Sequence, residues 1–524
     1  MLMESPAPLI APIISVLGAV LIALLSIRYK NKKLYDALSL IASLASWIIA
    51  LIVFYDTICL KNMVVYGSGG WFPPLGIVYV VDGLSSILGL LNTTIVLLII
   101  VYSIGYFKEE EKGIYQYYVL VLLLNAALLG VYYTGDLFNL FVMIELMAVT
   151  AYSLVAYHRE RGEAIEASLK YGIVACLAGL LLFIGIGFIY SYIGTVSMPD
   201  LSAKIIGLHT LMDKYSGSAK VFIGPLLLIV GLITWSFLFE SAVFPLHFWL
   251  PDAHSEAPSP VSALLSGLVV NAGLYGLIRF YYTVIGAGIN DSRIIVLFME
   301  FLLLVGVLGS IYAAIMMIME NDIKRIIAYS TIMHVSLIII GVSLGTKAGI
   351  QASIYHFITH SISKSLAFLS VGVLVTAAGS RKINDLMGFA KYYPTAGAGA
   401  VIAMLGLAGM PPLGTFPSKL FLITAAIDSG NPYAAAAIII SSVIAVIAYF
   451  RIINVLLNEK PKNIARYTFK NSTKTTIWIL IMLVVFVGIM LPIMYNLSGN
   501  IASSLMDPRR YIDSALKLLI KFYR

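Results

Sequence analysis

The sequence predicts an all-α polytopic membrane protein of about fourteen transmembrane helices, with two inverted five-helix repeats that each contain a broken helix. Three observations carry this. Of 524 residues, 60% are hydrophobic and 11% charged, with a mean hydropathy of +0.95; ordinary globular domains hold about 45–50% apolar and about 25% charged residues. Apolar runs reach about 20 residues without the two-residue alternation of a barrel strand. Two of these runs, in corresponding halves of the chain, are interrupted by prolines. A soluble core cannot hide this much apolar surface, so a water-soluble enzyme is excluded.

The first 110 residues hold three spans, at about 9–27, 34–55 and 81–104. The start, Met1-Leu2-Met3-Glu4-Ser5-Pro6, lacks a basic stretch, so the first span reads as retained rather than as a cleaved signal. Residues 56–80, with Gly67, Gly69, Gly70, Pro73 and Pro74, read as an extended loop or hairpin outside the cell. Residues 111–290 form a first repeat, with spans near 114–133, 136–157, 165–193, 219–247 and 259–286. Residues 291–458 form a second, with spans near 294–319, 323–345, 349–378, 394–429 and 432–457. Residues 459–524 supply a last span near 474–496 and a basic amphipathic tail, expected to lie along the membrane surface.

Alternating loops carry 19 Lys and Arg on one side against six on the other. The richer side is expected to be cytoplasmic, in a plasma membrane, with both termini outside. The net charge of +8 is therefore a matter of topology, and no nucleic-acid partner is implied. Cys59 and Cys176 stand alone, with no CxxC, so neither a disulfide framework nor an iron–sulfur cluster is expected.

Ionisable residues left at membrane depth mark ion paths, because each costs about 2.5–3.5 kcal/mol at a helix centre. Arg279, Arg451 and Asp36 lie near span ends and are read as snorkelling side chains; Glu300 lies a turn or two inside and is open to either reading. Glu145 sits nine residues into the Asp136–Tyr152 stretch, near mid-membrane, and needs a cation or a proton. The seventh span ends in Glu240 and is broken by Pro245 and Pro251; the twelfth is broken by Pro411, Pro412 and Pro417 just before Lys419. Backbone freed by proline survives at that depth where it lines a hydrated cavity. In the eleventh span His356, His360 and Lys364 recur every four residues, on one helical face. With His334 of the tenth span they suit a proton relay. Two His at i, i+4 could start a metal site, but no third ligand is evident, and none is expected.

At these residues the chain resembles the antiporter-like subunits of complex I, of D-type Mrp cation/proton antiporters and of membrane-bound hydrogenases. The resemblance covers roughly residues 80–450 and rests on Phe244-Pro-Leu-His-Phe-Trp-Leu-Pro-Asp-Ala-His-Ser-Glu-Ala-Pro258, on Asp322-Ile-Lys-Arg-Ile-Ile-Ala-Tyr-Ser330 leading to His334, and on Gly409-Met-Pro-Pro-Leu-Gly414. It implies that Glu145 is the fifth-span glutamate, Lys364 and Lys419 the basic residues of the outer half-channel, and His334 and His360 relay histidines. Two positions depart from the pattern. Glu240 stands where the family usually has a lysine that pairs with the glutamate, and Asn271 where it often has another. If the two carboxyls approach within about 4–6 Å, Glu145 and Glu240 would share one proton or one bound cation; the alternative is that Glu240 turns away toward a partner subunit's basic residue or toward water at the helix break.

The resemblance implies a proton- and/or sodium-translocating subunit of a redox-driven respiratory complex, such as a membrane-bound hydrogenase, a sulfane reductase or a complex I relative. Such a chain works beside other antiporter-like and small helical subunits and, through them, a hydrophilic redox module. The alternatives are a subunit of a non-redox Mrp-type Na+/H+ antiporter, or a structural subunit that no longer transports. With no nucleotide fingerprint and no cluster ligands, redox chemistry and cofactors are expected in other chains, and no catalytic residue is assigned. No long lateral helix is expected after the last span, which argues against the largest antiporter-like subunit of complex I.

Overall fold

The computed structural model describes residues 2–71, 75–214, 219–286, 293–458 and 467–522. Within these, twelve helices are long and apolar enough to cross a membrane. Two further crossings are interrupted: Ala219–Glu240 continues as Trp249–Glu256, and Pro394–Ala408 as Thr415–Asp428. Each interruption follows a helix of 32 residues, Gly162–Ile193 in one case and Lys347–Ala378 in the other.

Burial sorts the helices into a centre and a periphery. Every residue of Ser259–Val284 is buried, as is all of Ile323–Ser343 except Arg325. Ala7–Ser26, Lys32–Phe54 and Arg293–Met319 each turn an apolar face outward, with Leu17, Ile41 and Leu297 more than half exposed. Outward apolar side chains suit hydrocarbon as well as a neighbouring subunit, so they carry no penalty here. Small residues allow close approach where helices cross; a side chain at Gly18 would meet Ala42, and one at Gly399 would meet Ser370.

The loop expected at 56–80 folds as a hairpin. Met63–Gly67 pairs antiparallel with Val78–Val81, and Leu2–Glu4 adds a parallel third strand. Pro73 and Pro74 lie outside the described residues. Three other expectations need correction. The stretch after Ile193 contains a helix, Met198–Lys214, anchored by a bridge between Asp136 and Ser197. The last span is Asn471–Ile489, and the chain then restarts at Leu491–Met506 with Pro492 in its first turn. The tail helix Arg509–Phe522 does not rest on the membrane surface alone, because Tyr511, Ile512 and Ala515 are buried against the protein.

Two residues read as snorkelling are not. Arg279 is fully buried and donates to both oxygens of Asp82, at 2.7 and 2.8 Å, and to Ser85 at 2.9 Å. Asp36 is buried too, held by Lys32 at 2.8 Å and by the Tyr118 hydroxyl at 2.5 Å. Sequence position cannot reveal these partners, which lie 197 and 82 residues away for Asp82 and Tyr118. Arg451 does reach a helix end, donating to the carbonyls of Ile318 and Glu320. Glu300 is exposed on the outer face of Arg293–Met319.

Candidate functional site

The second break is built around a lysine. Pro411 and Pro412 cannot continue the Pro394–Ala408 helix, and Gly409 turns the chain in the left-handed region at φ +88°. The carbonyls at that helix end have no partner further along the helix. Lys419 supplies one, its Nζ donating to Leu407 at 3.0 Å and Ala408 at 3.3 Å, and Thr415 donates to the Gly406 carbonyl. A cation at a helix C-terminus also meets the favourable end of the macrodipole.

Next to it run the histidines. His356 Nδ1 lies 2.8 Å from Ser418 Oγ, and its Nε2 lies 2.9 Å from His334 Nδ1. His334 Nε2 lies 3.2 Å from the Tyr449 hydroxyl. Lys364 donates to the Ile327 carbonyl at 2.9 Å and to the Ser330 hydroxyl. Lys364, His334, His356 and His360 are each fully buried, and Lys419 nearly so. His360 packs beside His334, ring centroids 5.4 Å apart, but neither of its nitrogens has a hydrogen-bond partner among the described residues.

The first break has the opposite chemistry. Glu240 is the last residue of Ala219–Glu240, followed by Ala242 at φ +50° and by Pro245. It is buried, and neither carboxyl oxygen has a partner among the described residues. A carboxylate at a helix C-terminus also faces the unfavourable end of the dipole. Tyr171, whose hydroxyl is likewise unpartnered, stands near Glu240 and stacks on Trp249 with ring centroids 4.0 Å apart. Glu145 is close enough to Glu240 for the two to repel. Its carboxyl lies in the notch left by Gly179, where a Cβ would come within 1.6 Å of Oε1. Asn271 donates to Ser361 at 2.8 Å and to the Gly267 carbonyl at 2.6 Å. It ties the buried Ser259–Val284 helix to the helix that carries Lys364.

Beneath the first break, on the basic side, is a cavity of about 1130 Å³ lined by Lys108, Glu111, Arg161, Glu256, Lys324 and Arg381 among others. Asp252 bridges Lys170 at 2.8 Å and Arg325 at 2.5 Å; Arg381 bridges Glu256 at 2.7 Å and Asp322 at 3.1 Å. Lys324 is buried and caps the carbonyls of Ser255 and Ala257. Asp252 and Glu256 both belong to the Trp249–Glu256 helix, just after Pro251, so the network holds the broken helix in place.

The structure thus gathers His334, His356, His360, Lys364 and Lys419 into one buried group and places the partly exposed Glu145 near the buried Glu240 in another. Pro245, Pro411 and Pro412 lie in the unwound segments, while Pro251 and Pro417 lie inside the short helices that follow. Sequence reading missed Ser330, Ser418 and Tyr449, and it counted Lys324, Arg325 and Arg381 as plain loop charges. A hydroxyl on one of 32 tyrosines gives no signal until its neighbours are known.

Comparison with known proteins agrees with the geometry. The family described as NADH:quinone oxidoreductase/Mrp antiporter, transmembrane region, matches residues 134–445, and the complex I chain 5 N-terminal family matches residues 73–118. The chain is 32% identical to NADH-quinone oxidoreductase subunit N of Desulforudis audaxviator over 405 residues, 76% of this chain and 77% of that one. It is 30% identical to the D-type subunit of the Na(+)/H(+) antiporter of Bacillus subtilis over 525 residues, 97% of this chain and 98% of that one. Its fold superposes on a chain of the membrane-bound sulfane sulfur reductase, an archaeal respiratory membrane complex, with a TM-score of 0.88 and 27% identity, covering 98% of this chain and all of the other.

Proposed function

The chain belongs to the NADH:quinone oxidoreductase/Mrp antiporter family of membrane subunits, and from that premise we propose that it translocates protons, with or without sodium, through its second half. As a member it is an antiporter-like, multi-pass subunit of the plasma membrane, found among other membrane subunits in a respiratory complex or an Mrp antiporter. The observation that carries the transport reading is the buried group of Lys364, His334, His356 and Lys419 beside a broken helix, with its members 2.8–3.2 Å from their nearest partners around the histidine pair. Buried amines and imidazoles are costly at membrane depth and are retained where they hand on protons.

Residues 111–290 and 291–458 are proposed as the two inverted repeats, each with a 32-residue helix before its broken one. The first repeat works differently: Glu145 and Glu240 hold one proton or one cation between them, and no lysine stands ready to be pushed. Redox chemistry and any cofactor belong, on this reading, to other chains. The non-redox Mrp setting remains the second reading, supported by 30% identity over nearly the whole of the Bacillus subtilis antiporter chain.

The test is proton flux into liposomes carrying the assembled complex. Lys364→Ala and Lys419→Ala are expected to lower flux with assembly intact; wild-type flux in both would remove the proposal.

A further inference from the structure

We propose that Thr331 is a positioning residue for Lys364. Its hydroxyl contests the backbone carbonyl on which the lysine rests, and it links that contest to Ser266 in the buried Ser259–Val284 helix. The inference deepens the proton-translocating reading above and rests on it.

Three donors meet at one oxygen. Within the Ile323–Ser343 helix the Ile327 carbonyl serves the N–H of Thr331, four residues on. The Thr331 hydroxyl donates to the same oxygen at 3.1 Å. Lys364 Nζ, from the Lys347–Ala378 helix, donates to it at 2.9 Å. A carbonyl oxygen has two lone pairs, so three donors oversubscribe it. The helix fixes the N–H in place. The other two donors have a second partner each: Lys364 also reaches the Ser330 hydroxyl, and Thr331 Oγ1 lies 2.7 Å from Ser266 Oγ.

Two arrangements follow. In one, Lys364 holds the carbonyl and the Thr331 hydroxyl turns to donate to Ser266. In the other, Thr331 donates to the carbonyl and accepts from the Ser266 hydroxyl, while Lys364 rests on Ser330. Ser266, Ser330, Thr331 and Lys364 are all fully buried, so each arrangement has to satisfy its donors from within the group. The second does so completely. The first leaves the Ser266 proton without an acceptor in the group, so the hold of Lys364 on Ile327 is offset by a loss at Ser266. A lysine seated in this way can let go, as a group that passes a proton must.

Close packing keeps the two helices in reach of each other at this level. A Cβ on Gly267 would come within 2.7 Å of Ser365 Oγ and 3.1 Å of the Ser361 carbonyl, and Asn271 donates to Ser361 at 2.8 Å. Ser266 adjoins Gly267 in the chain, and Lys364 adjoins Ser365. The hydroxyl pair therefore spans from the central helix to the seat of the lysine.

The experiment compares Thr331→Val, Thr331→Ser, Ser266→Ala, the Thr331→Val/Ser266→Ala double and Lys364→Ala in the assembled complex, by proton flux in liposomes and by unfolding temperature. Valine leaves the carbonyl uncontested and Lys364 held longer, so flux is expected to fall about five-fold, the scale of one hydrogen bond. Thr331→Ser keeps the hydroxyl and should restore flux to within about two-fold of wild type. Ser266→Ala pins the Thr331 hydroxyl on the carbonyl and displaces Lys364, with an expected loss of about three-fold. Once the hydroxyl is gone Ser266 no longer matters, so the double should match Thr331→Val instead of multiplying the two losses. It removes both ends of one hydrogen bond, and its unfolding temperature should stay near wild type. Wild-type flux in Thr331→Val, an equal loss in Thr331→Ser, or multiplied losses in the double overturns the proposal. If Thr331→Val does not assemble, the double against Thr331→Ser decides it; if neither valine variant assembles, Thr331 is a packing residue and the proposal falls. Wild-type flux in Lys364→Ala would instead overturn the proton-translocating reading itself.

Discussion

Arg279 and Asp82 form a two-pronged ion pair, 2.7 and 2.8 Å, in which both side chains are buried. Asp82 caps the Gly83–Tyr106 helix through Ser85, and Arg279 lies between the rings of Tyr275 and Tyr511, each centred 5.2 Å from its guanidinium carbon. The pair therefore pins three distant pieces of chain: the third span, the central helix and the tail.

Asp82→Asn should destabilise the protein by about 3–5 kcal/mol, the usual cost of leaving one buried charge without its partner. Burial alone would raise the Asp82 carboxyl, but the Arg279 guanidinium outweighs it and holds the carboxyl below its ordinary value. A depressed folded-state value means that the stabilisation is complete above the unfolded value of about 3.9 and is lost as pH falls through the lower, folded one. Unfolding in detergent should accordingly show the Asn penalty in full at neutral pH and a shrinking one in strong acid. An equal penalty at both would remove the pair as its source.

Lys419→Ala and Lys364→Ala remove relay groups that also satisfy backbone. Lys419 covers the carbonyls of Leu407 and Ala408, and Lys364 that of Ile327. Each loss should lower coupled ion transport strongly and stability by about 1–3 kcal/mol, the cost of an orphaned buried acceptor. His360→Ala should be mild on both counts, since no hydrogen bond is lost and water can enter a polar channel. Flux and thermal unfolding measured on the same preparations separate the two effects.

How far the sequence led depends on whether a feature is local. Apolar runs mark spans, and i, i+4 spacing puts His356, His360 and Lys364 on one face; Pro245, Pro411 and Pro412 mark breaks, whereas Pro251 and Pro417 lie within the short helices that follow. Contacts between distant segments leave no such trace. Arg279 near a span end looks the same whether it reaches for water or for Asp82, and Lys324 looks like any loop lysine until the Ser255 and Ala257 carbonyls are found around it. The helix after Ile193 is short and mixed in polarity, with Pro199 in its first turn, so no membrane-length signal marks it.

Glu240→Gln should be tolerated better than Glu145→Gln. Neither oxygen of Glu240 is engaged among the described residues, and removing its charge relieves the repulsion from Glu145. Glu240→Lys should assemble, because it restores an opposite charge beside Glu145 and an ammonium at a helix C-terminus. Transport compared with and without sodium at fixed pH identifies the ion: if the site holds a cation, the sodium dependence disappears in Glu240→Gln, and if it holds a proton, sodium makes no difference to either protein. A Glu240→Gln loss as deep as that of Glu145→Gln would contradict the sharing of one charge.

Gly179→Ala tests where the Glu145 carboxyl must sit. The added methyl would fall 1.6 Å from Oε1, far inside contact distance, and the three atoms nearest to it all belong to the Glu145 carboxyl. The side chain must swing away, and it can, because Glu145 is partly exposed and its carboxyl is at the end of a flexible stem. Helix packing is therefore expected to survive, and Ala in place of Gly favours the helix by about 1 kcal/mol. Transport that depends on Glu145 should nevertheless fall toward the level of Glu145→Gln, with assembly and unfolding temperature unchanged or slightly raised. Combining the two substitutions should add little, since both act on one carboxyl. Full transport in Gly179→Ala would mean that Glu145 works from outside the Gly179 notch, and the proximity of the two carboxyls would lose its functional meaning.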